Sequence, residues 1–473
     1  MFQSTVPDST RFVTSPRLRG LLLTVGVVFA GAMPLAGQHF PDDAALMEII
    51  ETRVEEGRAT GIVLGVLEAD GTRRIVAYGD AGPGARPLGP ESVFEIGSIT
   101  KVFTGILLAD MAERGEVRVE SPISAYAHEG VTIPSRNGRE ITFIDLTTHR
   151  SSLPRLPDNM SPADGTNPYA DYTVDQLHEF LSGYELTRDI GSQYEYSNLA
   201  VGLMGHLLAY TAGMDYEALV RQRILDPLGM DMTGIELSPE MREWLVVGHS
   251  EGRPVSMWDL PTLAGAGALR SNANDMLTFL DANIGEPAGD LERAMRVSHA
   301  AIIEAGGGND IGFNWHILSV GDDRVVWHNG GTGGYRTFVG FEPQREIGVV
   351  VLTNSTEGAD DIGFHLLNDQ IPLAAAPDPS EEPVEVEVSR AILERYVGVY
   401  EIIPEFQLTV TLEDDGLVVQ ATGQGEFRIY AESDTEFFLR VVEARISFVV
   451  EDGDVTALVL HQGGVDQTGR KIN

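Results

Sequence analysis

Phe94-Glu95-Ile96-Gly97-Ser98-Ile99-Thr100-Lys101, continued by VFTGILLADMAERGE to Glu116, is the stretch on which the reading of this chain turns. Val102, Phe103, Ile106, Leu107 and Met111 recur at helical spacing and Gly115 supplies a stop, so a helix opening at Ser98 is expected. Residues i and i+3 share a helix face with Cβ atoms roughly 5–6 Å apart, which brings the Ser98 hydroxyl and the Lys101 amine within hydrogen-bond reach. Serine is a poor nucleophile at its free pKa and needs an adjacent base. A neutral amine one turn away serves, whereas a guanidinium is not deprotonated in proteins. The structural alternative is Ser98 as a helix cap and Lys101 as a solvated first-turn residue.

Composition sharpens the choice. The 473 residues carry 33 Lys+Arg against 71 Asp+Glu, a net charge of −38, and argue against nucleic-acid binding through a basic surface. Lysine occurs only at Lys101 and Lys471, so every other basic position is arginine. A lysine that survives at Lys101 in such a chain points to a task arginine cannot perform. With 43% hydrophobic and 22% charged residues the chain is globular, long enough for two or three domains. Cysteine is absent, which excludes disulfides, thiolate metal sites and a cysteine nucleophile.

Two further stretches carry chemistry. Tyr196-Ser197-Asn198 precedes an apolar helical run; a phenol beside a lysine ammonium has its pKa drawn down and shuttles protons, and an amide orients a substrate. His328-Asn329-Gly330-Gly331-Thr332-Gly333-Gly334 joins two expected strands, and its glycines let backbone N–H groups approach a ligand as an oxyanion site requires. Alone, the first is also compatible with packing and capping, and the second with a hairpin loop.

Along the chain, Arg11, Arg17 and Arg19 precede the apolar run Gly20–Gly37, the pattern of a secretory signal. Export is expected, with Ala30-Gly31-Ala32 or Gly37 as cleavage sites; an uncleaved membrane anchor is the alternative, since about 17–20 apolar residues span a bilayer. Early strands (GIVLGVLEAD and RRIVAYGD around Gly71), a helical middle and late strands (RVVWH, YRTFVGFE, IGVVVLTN) imply a sheet closed by distant segments, an α/β (α+β) arrangement. The segment Ile371–Val388, with four prolines and clustered acids, reads as a linker. After it, short β-rich runs separated by Asp-Gly turns indicate a small antiparallel sheet or barrel. The expected organisation is thus a signal over 1–37, a hydrolase domain over 38–370, a linker over 371–388 and a small β domain over 389–473.

Taken together, FEIGSITK, Tyr196-Ser197-Asn198 and HNGGTGG resemble the nucleophile, Tyr-x-Asn and sheet-edge motifs of the serine β-lactamases and penicillin-binding D,D-peptidases, in the class C-like branch that includes related esterases. Similarity extends through LTTHRSSLP (Leu146–Pro154), ILDPLGMDMTG (Ile224–Gly234) and AGAGALRSNANDM from Ala264. The resemblance implies a mixed antiparallel sheet flanked by helices and, at the C-terminus, an appended all-β, lipocalin-like domain. It implies Ser98 as the acylated nucleophile and Lys101 and Tyr196 as its activators. It further implies the N–H groups of Ser98 and Gly331 as oxyanion hole, and Asn198, His328, Asn329 and Gly330 facing substrate, with no cofactor and no metal. The expected substrate is a small molecule or peptide: a β-lactam, a D-Ala-D-Ala-like peptide or a small ester.

Departures qualify the resemblance. His328 stands where class C β-lactamases carry lysine, replacing a fixed cation by a group neutral at many pH values; hydrolysis of a β-lactam or related amide stays the first expectation, with a D-alanyl-D-alanine carboxypeptidase or small-ester esterase as the alternative. Arg150 and Ser152 replace the family's Thr and Gly. Gly248-His249-Ser250-Glu251-Gly252 matches a Gly-x-Ser-x-Gly elbow, but Pro254 and Pro261 follow where a helix must begin. The 11 histidines show no metal-ligand spacing. A non-enzymatic alternative, a sensor that acylates and never releases, uses the same residues.

Overall fold

The computed structural model describes residues 38–473 apart from 251, 307–308, 322, 377–384, 404–405, 414–415, 423–425, 440–443, 452, 463–464 and 473. The expected signal over 1–37 and part of the expected linker lie outside the described residues. Among the described residues no helix is long and apolar enough to cross a membrane.

The larger part is built on one antiparallel sheet. Its strands are β1 (Gly61–Leu67), β2 (Arg73–Gly79), β3 (Ile303–Gly306), β4 (Asn309–Ile311), β5 (His316–Val320), β6 (Asp323–Gly331), β7 (Arg336–Glu342) and β8 (Ile347–Thr353), in spatial order β2-β1-β8-β7-β6-β5-β4-β3. The expected hairpin forms with Gly61 opposite Gly79 and Leu67 opposite Arg73. β1 then pairs with β8, Ile62 opposite Thr353, so chain ends far apart in sequence close the sheet.

β1 and β8 are buried along their whole lengths, which is why they read as unbroken apolar runs rather than an alternation. Ile62, Leu64 and Val66 pack with Leu46 and Ile50 of helix α1 (Asp43–Glu55), while Val63 and Leu67 join the larger core on the other face. At the centre of that core lies α2 (Thr100–Glu113). Only an apolar stripe was expected, yet every residue from Thr100 to Met111 is buried. Its exit obeys the sequence: Gly115 takes φ +73° and its N–H donates to Ala112, while Glu116 N–H reaches back to Met111 O at 2.9 Å, a Schellman closure.

In the C-terminal part, eight antiparallel strands from Gly398–Ile403 to Val465–Lys471 form a closed barrel. Closure is made by the first and last strands, Tyr400 opposite Lys471, which abolishes the sheet edges. Tyr396 stacks on Phe448 at 4.0 Å and packs edge-on to Phe437, filling the interior.

Candidate active site

The nucleophile motif folds as a single 3-10 turn, Gly97–Ile99, that runs directly into α2; Ser98 precedes the helix instead of capping it. From Ser92 to Met111 every residue is buried except Ser98, which is half-exposed. Lys101 Nζ lies 2.9 Å from Ser98 Oγ and donates to the Ala266 carbonyl at 2.6 Å. Among the described residues no carboxylate pairs with it. Burial, helped by the positive charge of Arg155, holds the Lys101 amine well below its ordinary pKa. A buried amine without a counter-ion is driven to the neutral form, the state that accepts a proton from serine.

Thr104 on the next turn supports this arrangement: its hydroxyl lies 2.6 Å from Tyr216 OH and donates to Gly265 O at 2.8 Å, steadying the turn whose Ala266 carbonyl holds Lys101. Asn314 donates to the Lys101 carbonyl at 2.9 Å.

Strand β6 supplies the facing wall. The strand expected to end at RVVWH runs on: Asn329, Gly330 and Gly331 complete β6 after His328, and the turn is confined to Thr332–Tyr335. Backbone lies against backbone here. Gly97 has φ +50° and a Cβ on it would stand 2.7 Å from Gly331 N, while a Cβ on Gly330 would collide with the Ile96 carbonyl. Thr337, opposite Gly330 on β7, donates to that same Ile96 carbonyl at 3.0 Å. Gly331 N is thereby pressed against the Gly97–Ser98 peptide, the close approach that a paired-amide oxyanion site needs.

The third wall enters through Tyr196-Ser197-Asn198. Ser197 caps helix α3 (Asn198–Ala212) by accepting from Ala200 N at 2.9 Å, and its hydroxyl donates to Pro154 O at 2.6 Å. Its N–H donates to His149 Nδ1 at 3.1 Å, and Asn198 N–H to Arg155 O at 3.0 Å. Leu146–Pro154 and the Tyr196 loop are thus locked to each other. His149 also stacks on the Tyr196 ring, centroids 4.6 Å apart. Ser152 now has a physical account where glycine was expected: it holds φ +67°, and its hydroxyl donates to Arg188 O at 2.7 Å. Nothing in the structure explains the change at Arg150.

Lys101 Nζ sits 4.9 Å from the Tyr196 ring centroid. The phenol pKa nevertheless moves up, opposite to the expectation from a neighbouring ammonium: burial raises it, and the hydrogen bond to Ser98 and the charge of Arg155 only partly oppose this. Tyr196 therefore carries its proton at neutral pH.

His328 is fully buried, its ring 6.4 Å from that of Tyr196 and 5.0 Å from that of His316. Its Nδ1 lies 2.6 Å from the Asn329 carbonyl, an acceptor, which places the ring proton on Nδ1 and leaves Nε2 as a lone pair. Burial is the main cause that holds its pKa well below the ordinary imidazole value. Asn198 donates to Tyr169 OH at 3.0 Å, and its buried Oδ1 has no partner among the described residues.

Asn329 departs from the substrate-facing role implied for it. Its side chain donates to Asp360 Oδ2 at 2.5 Å, tying β6 to helix α4 (Asp360–Leu367). Successive strand residues point to opposite faces, so Asn329 turns away from the face His328 and Gly330 share. Ser250 lies in a two-residue strand pairing with Arg253–Pro254, not on a strand-to-helix elbow. Arg155 was missed: its guanidinium carbon lies 5.3 Å from the Tyr196 ring centroid, on an exposed loop. The signal for it was its place one residue beyond the quoted Leu146–Pro154 stretch.

A buried lysine against an accessible serine, with a tyrosine and a glycine-edged strand around them, defines the class of serine hydrolases. Residues 46–369 match the Beta-lactamase family, and the chain belongs to that family. Residues 382–472 match a domain of unknown function (DUF3471). The D-alanyl-D-alanine-carboxypeptidase/endopeptidase AmpH of Escherichia coli strain K12 is 32% identical over 63% of this chain and 80% of its own length. Penicillin-binding protein 4* of Bacillus subtilis strain 168 is 25% identical over 81% of this chain and 88% of its own. Among solved structures, a β-lactamase/D-alanine carboxypeptidase from Yersinia pestis superposes with TM-score 0.58 at 25% identity, covering 67% of this chain and 94% of that one. A class C β-lactamase from Rhodobacter sphaeroides gives TM-score 0.60 at 24% identity, covering 70% and 99%.

Proposed function

We propose that this serine hydrolase cleaves the amide of a D-Ala-D-Ala-like peptide or a β-lactam through an acyl-enzyme on Ser98. The observation that carries the reading is the 2.9 Å contact between the one accessible residue of the Ser92–Met111 stretch and a buried amine without a counter-ion. Ser98 Oγ attacks the carbonyl carbon as its proton passes to Lys101 Nζ. The N–H groups of Ser98 and Gly331 take up the charge on the carbonyl oxygen. The C–N bond then breaks, Tyr196 delivers a proton to the departing nitrogen, and Lys101 returns one to Tyr196. Water adds to the acyl carbon as its proton passes through Tyr196 and Lys101 to Ser98 Oγ, which leaves as the free hydroxyl and releases the acid.

The resemblance to the Escherichia coli carboxypeptidase/endopeptidase supports the peptide over the β-lactam. The charged-then-apolar N-terminus supports export, so that the protein works outside the cytoplasm. The experiment compares wild type, Ser98→Ala and Ser250→Ala on a D-Ala-D-Ala peptide, nitrocefin and p-nitrophenyl acetate, following turnover and intact mass. Turnover by wild type and Ser250→Ala but not Ser98→Ala is expected, with the peptide fastest. Full activity in Ser98→Ala refutes the mechanism, and a mass adduct without turnover returns the protein to the sensor class.

A further inference from the structure

Three histidines converge behind the helix that carries Asn198. His128 follows the short turn Ile123–Tyr126, His178 lies in the helix Val174–Gly183, and His206 lies in α3. One ring nitrogen from each falls within 4.8 Å of the others, and His128 Nε2 and His206 Nε2 stand 3.0 Å apart. The rings pack on one another, His128 to His178 at 4.8 Å and His128 to His206 at 5.0 Å between centroids, with Tyr210 stacked on His128 at 3.6 Å. All three are half-buried. His128 and His206 open onto a cavity of about 290 Å³ that Tyr210 and Asp215 also line.

Two Nε2 atoms facing each other make a contact in which at most one can donate, and His178 adds a third ring nitrogen to the same cluster. A cation that accepts three lone pairs resolves this. Tetrahedral Zn–N bonds of about 2.0–2.1 Å hold ligand nitrogens about 3.3 Å apart, so one pair is already at ligand spacing and the third ring must close by roughly 1.5 Å. An all-imidazole set suits a borderline transition metal and not calcium or magnesium, which take oxygen ligands.

We propose that His128, His178 and His206 form a divalent transition-metal site, taking Zn2+ through three imidazoles with the fourth position open to the cavity. The site is distinct from the serine centre and independent of its chemistry. His206 follows Asn198 by eight residues, about 12 Å along the α3 axis. The ion would clasp α3 to two other elements and stiffen the helix whose start holds Tyr196, Ser197 and Asn198. The sequence offered no hint because the ligands are spread over 78 positions.

The test titrates full-length, chelator-treated protein with Zn2+ alone by calorimetry and counts zinc after desalting. One ion per chain is expected. The melting temperature should rise by on the order of 4 °C at a hundredfold excess over Kd. Affinity should fall by roughly tenfold or more in His178→Gln and in His206→Gln, and be unchanged in the exposed control His39→Gln. Co2+ provides a readout without any variant, since tetrahedral nitrogen ligation of the wild type produces visible ligand-field absorption. No uptake by wild type, or unchanged uptake in both glutamine variants, overturns the proposal.

Discussion

Gly97→Ala tests the backbone contact that assembles the candidate oxyanion site. The added methyl would lie 2.7 Å from Gly331 N, 3.0 Å from its carbonyl oxygen and 3.2 Å from its carbonyl carbon, all of them backbone atoms that cannot rotate aside. Comfortable contact needs about 3.5 Å, so β6 and the Ser98 turn must part by roughly 0.8 Å. Oxyanion donors work within 2.7–3.1 Å of the charge they stabilise, and losing one costs about 10²–10³ in kcat. A fall of about 10²-fold in kcat is expected, with KM changed much less. Alanine at φ +50° adds a folding cost of about 1–2 kcal/mol. Gly130→Ala separates the two effects, because Gly130 has φ +85° with nothing within 4 Å of its would-be Cβ. That control should lower the melting temperature slightly and leave turnover unchanged. Steady-state kinetics on p-nitrophenyl acetate beside thermal melts decides the matter; wild-type kcat in Gly97→Ala would refute the reasoning.

Acid should weaken the fold through buried His299 and half-buried His316. Burial depresses His316 and His299 from 6.5 to about 4, so each ring is neutral when folded and charged when unfolded at intermediate pH. The folded pKa lies below the unfolded one, so this stability is complete above pH 6.5 and is lost as pH falls toward 4, on the order of 3 kcal/mol for His316. Denaturant midpoints from pH 7.5 to 4 should fall more steeply in wild type than in His316→Phe; parallel curves would count against it. Arg155→Gln should raise KM for a peptide ending in a free carboxylate several-fold more than KM for neutral p-nitrophenyl acetate, since the guanidinium is the positive charge beside Tyr196. Equal effects on both substrates would deny it a role in recognition.

The pair Ser98 and Lys101 was legible because its geometry is local: three residues along one turn bring the two groups together whatever surrounds them. The β1–β2 hairpin was legible for the same reason, with Gly71 at its turn. Strands β3 to β5 were not, being short and interrupted, nor were the first and last barrel strands, whose partners are each other.

Local pattern by itself determined that Ser98 and Lys101 stand together, and the antiparallel character of the C-terminal part, because periodicity and turn chemistry act over a few residues. Tertiary structure decided whatever depends on segments meeting from afar. It buried α2 on all sides, holding the Lys101 amine well below its ordinary pKa and reversing the expected shift of Tyr196. It set Gly330 and Gly331 against the Ser98 turn, turned Asn329 toward Asp360, brought Arg155 to the mouth of the site and gathered three histidines onto one point. Desolvation and close approach are properties of the packed molecule, and a residue's neighbours along the chain do not reveal them.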